Sequence, residues 1–325
     1  MPFSGAKIPT AIPTFPSPKV DNGRLFEVDK ICKNRALKLS WNFGITQLKL
    51  KRSNYHSRFV TYASNVSVSD ASFPADYSEL LRQAKEATEF AIKDNIQLME
   101  IEFPTSGLQS VPGDGEGGTE MTESMQLIRE FCDRLVAPEK ATRTRIFFPE
   151  ASEVKFARTS VFEGVSLKLD YLTKPSFLED FGFGTKVKMA DRVRPEDELF
   201  LVAYPYFNVN EMLVVEELYK EAVANTSRKL IVFNGELDRI RSGWAPDYPS
   251  FFYPKLAALT KTLLPKMETV YYIHNFKGRN GGTLFRCYPG PWQVLRRTGN
   301  KYICVHQRET MPSLKEVALD ILQPA

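Results

Sequence analysis

Short apolar runs alternate with segments of helical periodicity from residue 77 to 264, and this alternation leaves few folds open. Ile96–Phe103, Arg145–Phe148, Leu199–Tyr204 and Leu230–Phe233 have strand length and are almost wholly apolar at their centres. Tyr77–Asp94, Thr119–Val136, Ala151–Arg158, Asn210–Ala224 and Ser250–Leu264 carry apolar residues at helical spacing. Val165–Leu169 is expected to be extended. Strands separated by helices predict β-α-β units, hence a parallel sheet covered on both faces. Thr269–Phe276, Thr283–Cys287, Trp292–Arg297 and Lys301–His306 then follow too closely for crossover helices, which predicts antiparallel strands. Pro312–Leu322 closes the chain as a short helix.

The expected class is therefore α/β: a mostly parallel, Rossmann-like sheet, helices on both faces, and antiparallel strands near the C-terminus. No internal repeat interrupts the pattern. Residues 74–325 are expected to form a single α/β domain; two lobes meeting near 185–197 is the alternative.

The first 69 residues are of a different kind. They hold eleven Lys/Arg and three acidic residues, a net of +8. Subtracting these from 43 basic and 39 acidic residues leaves 32 and 36 in 70–325, a net of −4. A basic, Ser-rich, acid-poor start is the signature of an organelle transit peptide, with removal expected within 60–72. A disordered basic leader that stays attached is the alternative. Because the basic excess sits in this leader, nucleic acid is not an expected partner. No stretch reaches the roughly 18–20 apolar residues of a membrane helix, so no bilayer span is expected. Cys32, Cys132, Cys287 and Cys304 lie far apart with no CxxC spacing, which argues against a zinc site.

Ligands of an open α/β sheet bind beyond the carboxyl ends of its strands. Glu102, Glu150, Asn208, Asn234 and Glu236 stand at those expected ends, with Glu100 two residues from Glu102 and so on the same strand face. They form a candidate crevice of carboxylates and amides. Solvated strand ends and turn formers are the competing account, since Asn234-Gly235 is a common turn. Three of the four strands close on aromatic-Pro, and each proline is expected to end its strand. Gly113, Gly115 and Gly118 match a dinucleotide fingerprint formally, but about nine residues separate them from the preceding strand, and Asp114 and Glu116 would repel a pyrophosphate.

No nucleophile elbow, phosphate loop or metalloprotease signature is present, and the chain has three histidines, His56, His274 and His306. The sequence leans away from an enzyme. It points to no catalytic residue, metal ligand or cofactor.

Two stretches suggest a partner or membrane surface. No acidic residue lies between Glu268 and Glu309, a stretch that holds Lys277, Arg279, Arg286, Arg296, Arg297, Lys301 and Arg308. Such a patch suits anionic headgroups or an acidic protein. Residues 243–254 combine five aromatics with three prolines, and Trp244, Tyr248 and Phe251 are candidate anchors. At least two of Phe251, Phe252 and Tyr253 are expected to open the next helix and pack inward.

Leu80–Ala84, Glu100–Pro104, Phe147–Glu150, Val232–Leu237 and Phe285–Val294 together resemble an uncharacterised domain family of cyanobacteria and plastids. From about residue 160 to 297 the chain resembles the low photosystem II accumulation proteins of chloroplasts. The resemblance implies a non-enzymatic auxiliary factor for photosystem II assembly. It implies the core antenna subunit CP43, an Alb3-type thylakoid insertase and another low-accumulation factor as partners. It also implies the chloroplast stroma, with peripheral association to the thylakoid membrane. Related domains fused to adenylate kinase domains keep a nucleotide- or small-molecule-binding enzyme or sensor as the alternative. The resemblance implies no catalytic residues.

Overall fold

A computed structural model describes residues 72–111, 117–173, 189–205, 209–241, 251, 253–278, 281–299 and 301–323, all within the unit Ser64–Ala325. Residues 1–69, expected to be a leader, lie outside the described residues.

Asp76 caps α1 (Tyr77–Lys93) by accepting from the Glu79 N–H at 2.8 Å, while Glu79 Oε2 accepts from the Ala75 N–H at 2.8 Å. This reciprocal pair satisfies two backbone donors that a helix start leaves open. Leu80, Leu81, Ala84, Ala87 and Ala91 form the buried stripe. There follow β1 (Leu98–Glu102), α2 (Gly117–Leu135), β2 (Thr144–Glu150), α3 (Ala151–Thr159) and β3 (Lys168–Thr173). Next come α4 (Met189–Arg192), β4 (Leu199–Ala203), α5 (Val209–Leu218), β5 (Lys229–Phe233), α6 (Asp238–Arg241) and α7 (Pro254–Thr262). The chain closes with β6 (Glu268–Asn275), β7 (Gly282–Cys287), β8 (Trp292–Thr298), β9 (Lys301–Arg308) and α8 (Leu314–Glu316).

The described strands form one nine-stranded sheet in the order β3-β2-β4-β5-β1-β6-β7-β8-β9. From β3 to β6 all neighbours are parallel; from β6 to β9 they are antiparallel. The expected fold class is thus observed. Thr269–Phe276, expected among the antiparallel strands, is the strand where the two regimes meet: β6 runs parallel to β1 and antiparallel to β7.

Helices cover both faces because strand residues alternate in direction. On one face Leu81, Ile128, Phe131 and Val154 of α1, α2 and α3 pack against Ile101, Ile146, Phe148, Leu201 and Phe233. On the other, Val215 and Leu218 of α5 and Leu256 and Leu259 of α7 pack against Leu98, Phe147, Phe200 and Val232. Each fully buried side chain of this size contributes roughly 1.5–3 kcal/mol. No described helix is long and apolar enough to cross a membrane.

Four expected boundaries move. The helix expected over Ser250–Leu264 starts at Pro254, whose fixed φ suits the first turn and whose missing N–H is not needed there. Tyr253 is then the residue before the helix, 37% exposed, and Phe251 is 82% exposed. Neither packs inward as expected; Phe252 lies outside the described residues. The extended segment expected at Val165–Leu169 is strand only from Lys168. Asn210–Ala224, expected as one helix, is α-helical to Leu218 and widens into a π turn over Tyr219–Val223. Pro149 does not end its strand. The β2–β4 ladder stops at Phe147, while the β2–β3 ladder runs on to Glu150–Thr173, so the proline sits where one edge no longer needs a donor.

Candidate functional site

The crossovers leave the sheet in opposite senses at β1 and β5. The chain leaves β1 for α2 on one face and β5 for α7 on the other. Such a parting of neighbouring connections opens a crevice at the strand ends.

Glu100 and Glu102 project from β1 to the side opposite Ile101, as their spacing requires. Glu100 is completely buried. Its carboxylate is gripped by both terminal nitrogens of Arg241 from α6, with Arg241 Nη1 donating to Oε1 at 2.8 Å. The Thr269 hydroxyl donates to Oε2. Asp238, one turn before Arg241, accepts from the Tyr272 hydroxyl and stands 4.0 Å from His274 Nδ1. Burial alone would lower the Arg241 pKa, but Glu100, with Asp238 and Tyr272, holds it above its usual value. Tyr272 is pushed well up by burial and by Asp238. His274 is lowered by burial, which outweighs Asp238.

Glu102 lies above this network and accepts from the Glu236 N–H at 3.0 Å. Burial, then the charges of Glu100, Glu236 and Asp238, raise its carboxyl well above the ordinary value, against that single hydrogen bond. Asn234 ties the ends of β5 and β1: its Oδ1 accepts from the Phe103 N–H at 2.9 Å, and its N–H donates to the Ile101 carbonyl at 2.7 Å. Asn234 and Glu236 have φ of 50° and 47°. Positive φ in a non-glycine residue is uncommon, and here it brackets Gly235 in a turn held by its side-chain and backbone bonds.

The structure therefore brings Glu100, Glu102, Asn234 and Glu236 together and adds Asp238, Arg241, Tyr272 and His274. Glu150 is elsewhere. Two strands, β4 and β5, separate β2 from β1, so it stands roughly 14 Å away at ordinary strand spacing. There the Ser152 hydroxyl donates to it at 3.3 Å. Its neighbour Glu153 is raised to about 7 by burial, with the Tyr204 hydroxyl opposing and the Glu150 charge adding. Asn208 lies outside the described residues.

The basic stretch is partly consumed by the fold. Arg286 pairs with Glu268 at 2.6 Å and lies over the Trp292 ring at 5.2 Å. Arg296 donates to the Leu322 carbonyl at 2.9 Å, holding the C-terminal turn against β8. Lys277, Arg297 and Lys301 are exposed. Arg297 reaches Gln109 and the Gly299 carbonyl. Arg279, Trp244 and Tyr248 lie outside the described residues, as do Gly113 and Gly115, while α2 includes Gly118. Among the described residues no three His, Cys, Asp or Glu side chains are grouped to hold a metal ion.

Asp238, Arg241 and Tyr272 escaped the sequence reading. The available signal was an acid and a base three apart just past a strand end, where one helical turn sets them side by side.

With this geometry in place, the family comparison is decisive. Residues 74–319 match the domain of unknown function DUF1995. The chain belongs to the DUF1995 family. The matched span takes in every described strand and the whole of the β1–β5–β6 cluster. No curated protein and no solved structure matches the chain.

Proposed function

We propose that the chain is a non-enzymatic auxiliary factor for photosystem II assembly. It would assist biogenesis of the core antenna subunit CP43 at the stromal face of the thylakoid. The observation that carries this reading is DUF1995 membership over 74–319, joined to the residue-level resemblance of 160–297 to the chloroplast low photosystem II accumulation protein 3. The partners in this reading are CP43, an Alb3-type insertase and another low-accumulation factor. The basic leader that precedes the family span supports a chloroplast location, with the stroma and the thylakoid surface as the working sites. Exposed Lys277, Arg297 and Lys301 suit anionic headgroups, and exposed Phe251 supplies an apolar contact.

Two measurements test it. The tagged chain, mixed with gently solubilised thylakoids carrying newly labelled subunits, should recover CP43 or the insertase; recovery of neither removes the reading. Arg297→Glu with Lys301→Glu should weaken sedimentation with thylakoids, and unchanged sedimentation removes the basic surface from it. Arg296 is left alone because it holds the C-terminal turn.

A second reading is favoured by one observation, the gathering of Glu102, Asn234 and Glu236 at the ends of β1 and β5, where burial and the neighbouring acids raise the Glu102 carboxyl well above its ordinary value. Carboxylate and amide groups converging at strand ends suit a polar small molecule, and proton transfer on it. In that case Glu102→Gln abolishes function while the fold is kept. The assembly reading expects the substitution to be tolerated.

A further inference from the structure

At the far edge of the sheet, away from the strand-end crevice, β3 borders a cavity of about 600 Å³. One wall is apolar: Phe162, Leu167 and Leu169. The polar wall holds four cations, Arg145, Arg158, Lys168 and Arg194, and one acid, Glu196, which pairs with Lys168 at 2.9 Å.

Most charges around β3 cancel. Asp197 is fully buried and accepts from Arg145 Nε at 2.9 Å, Lys168 Nζ at 2.9 Å and the Arg194 N–H at 2.9 Å. Lys168 also meets Glu196, and Asp170 is held by Arg192, with Arg145 Nη1 at 3.4 Å. Arg145, Lys168 and Arg192 are thereby matched by Asp170, Glu196 and Asp197.

Three features of this lining remain unmatched. The Arg145 side chain is 8% exposed, yet its Nη2 is buried with no hydrogen-bond partner. Buried guanidinium donors are rarely left so. Among the described residues Arg158 donates only to the Leu169 carbonyl, and the Arg194 side chain has no partner. Neither has a carboxylate. A second cavity of about 610 Å³ lies beside the first and shares Arg145 and Arg194, so both side chains stand between two open spaces. The second space is bordered by Asp170 and Asp191, the first by the paired Glu196.

We infer that this edge is a binding site for a small amphipathic oxyanion, with a phosphate or carboxylate head on an apolar body. Guanidinium groups present flat, paired donors that match the oxygens of such heads. Arg158 and Arg194 take the head, with the buried Arg145 adding its positive charge behind them, and Phe162, Leu167 and Leu169 take the body. The site lies at the amino-terminal parts of β2 and β3, so it is independent of the strand-end cluster and of the assembly reading.

Binding of phenyl phosphate and of benzoate to the full chain would be measured by calorimetry at fixed ionic strength. Benzyl alcohol serves as the uncharged control and inorganic phosphate as the bare head. At least one organic anion should bind saturably, about tenfold or more tighter than benzyl alcohol, the scale of a charge-assisted hydrogen bond. Arg194→Gln and Arg158→Gln should each weaken it about tenfold without moving the Tm of the free protein. These exposed positions carry the test because Arg145→Gln would also break the buried pairs with Asp197 and Asp170. Anions binding no better than benzyl alcohol would overturn the site, as would unchanged affinity in both variants. Inorganic phosphate matching phenyl phosphate would overturn the amphipathic ligand.

Discussion

Asn234 shows how one side chain can do two jobs at a strand end. Its φ of 50° suits asparagine better than most residues, and its Oδ1 satisfies the Phe103 N–H in a buried setting. Asn234→Ala should therefore destabilise the protein by about 2 kcal/mol, since the N–H is left unpaired. Asn234→Asp, which keeps the acceptor, should lie closer to the parent in urea unfolding. Glu153 gives a pH dependence of known sign. Its ordinary value is 4.5 and its folded value is about 7, so between these the folded state keeps a proton that the unfolded chain has released. The stability it supports is complete below about pH 4.5 and is lost as pH rises through about 7. Glu102, also raised, acts with the same sign. Glu153→Gln should flatten the fall in unfolding free energy between pH 5 and pH 8; an unchanged slope would assign it to other groups. None of this was legible from residue identity alone. Asn234-Gly235 reads as a turn, and Glu153 reads as an exposed helical acid, because burial and neighbours are not written locally.

At the scale of elements, a bulge decides what the crevice contains. The β1–β6 register pairs Glu100 with Thr269 and then Glu102 with Tyr272, slipping by one residue between Glu100 and Ile101. Val270 and Tyr271 consequently both enter the core with α1, and Tyr272 turns to the side of Asp238 and the glutamates. Strict alternation would have pointed Tyr272 and Thr269 to opposite faces. The hairpin strands are packed as tightly. A Cβ on Gly282 would meet the Leu295 carbonyl oxygen of β8 at 2.5 Å and Leu322 Cδ2 at 2.6 Å. Gly282→Ala should cost about 1–3 kcal/mol as β7 and β8 are forced apart. An unchanged urea midpoint would show that the hairpin adjusts freely. Strand and helix identities were legible here, since periodicity is a local property. Their ends were less so: Pro254 opens its helix because a first turn needs no N–H, and Pro149 leaves its strand intact because the β2–β4 ladder has already stopped.

Across the molecule, β2 pairs with β4 on the far side of residues 185–197, so the sheet runs unbroken through the position of the alternative lobe boundary. A continuous sheet with helices packed on both faces should unfold as one unit. Far-UV and near-UV circular dichroism should lose signal at one common urea midpoint, and two separated midpoints would favour two lobes. The α/β class, the place of the antiparallel strands, the basic charge of residues 1–69 and the side-by-side position of Glu100 and Glu102 were legible along the chain, because each depends on neighbours in sequence. The tertiary structure alone decided the strand order. That order placed Glu150 apart from Glu102, joined Arg241 to Glu100 across 141 residues, and turned Arg286 inward onto Glu268. It also gathered Arg145, Arg158 and Arg194 around one cavity. The reason is that pairing between strands far apart in sequence is settled by how the helices bury both faces of the sheet, and no local pattern carries that choice.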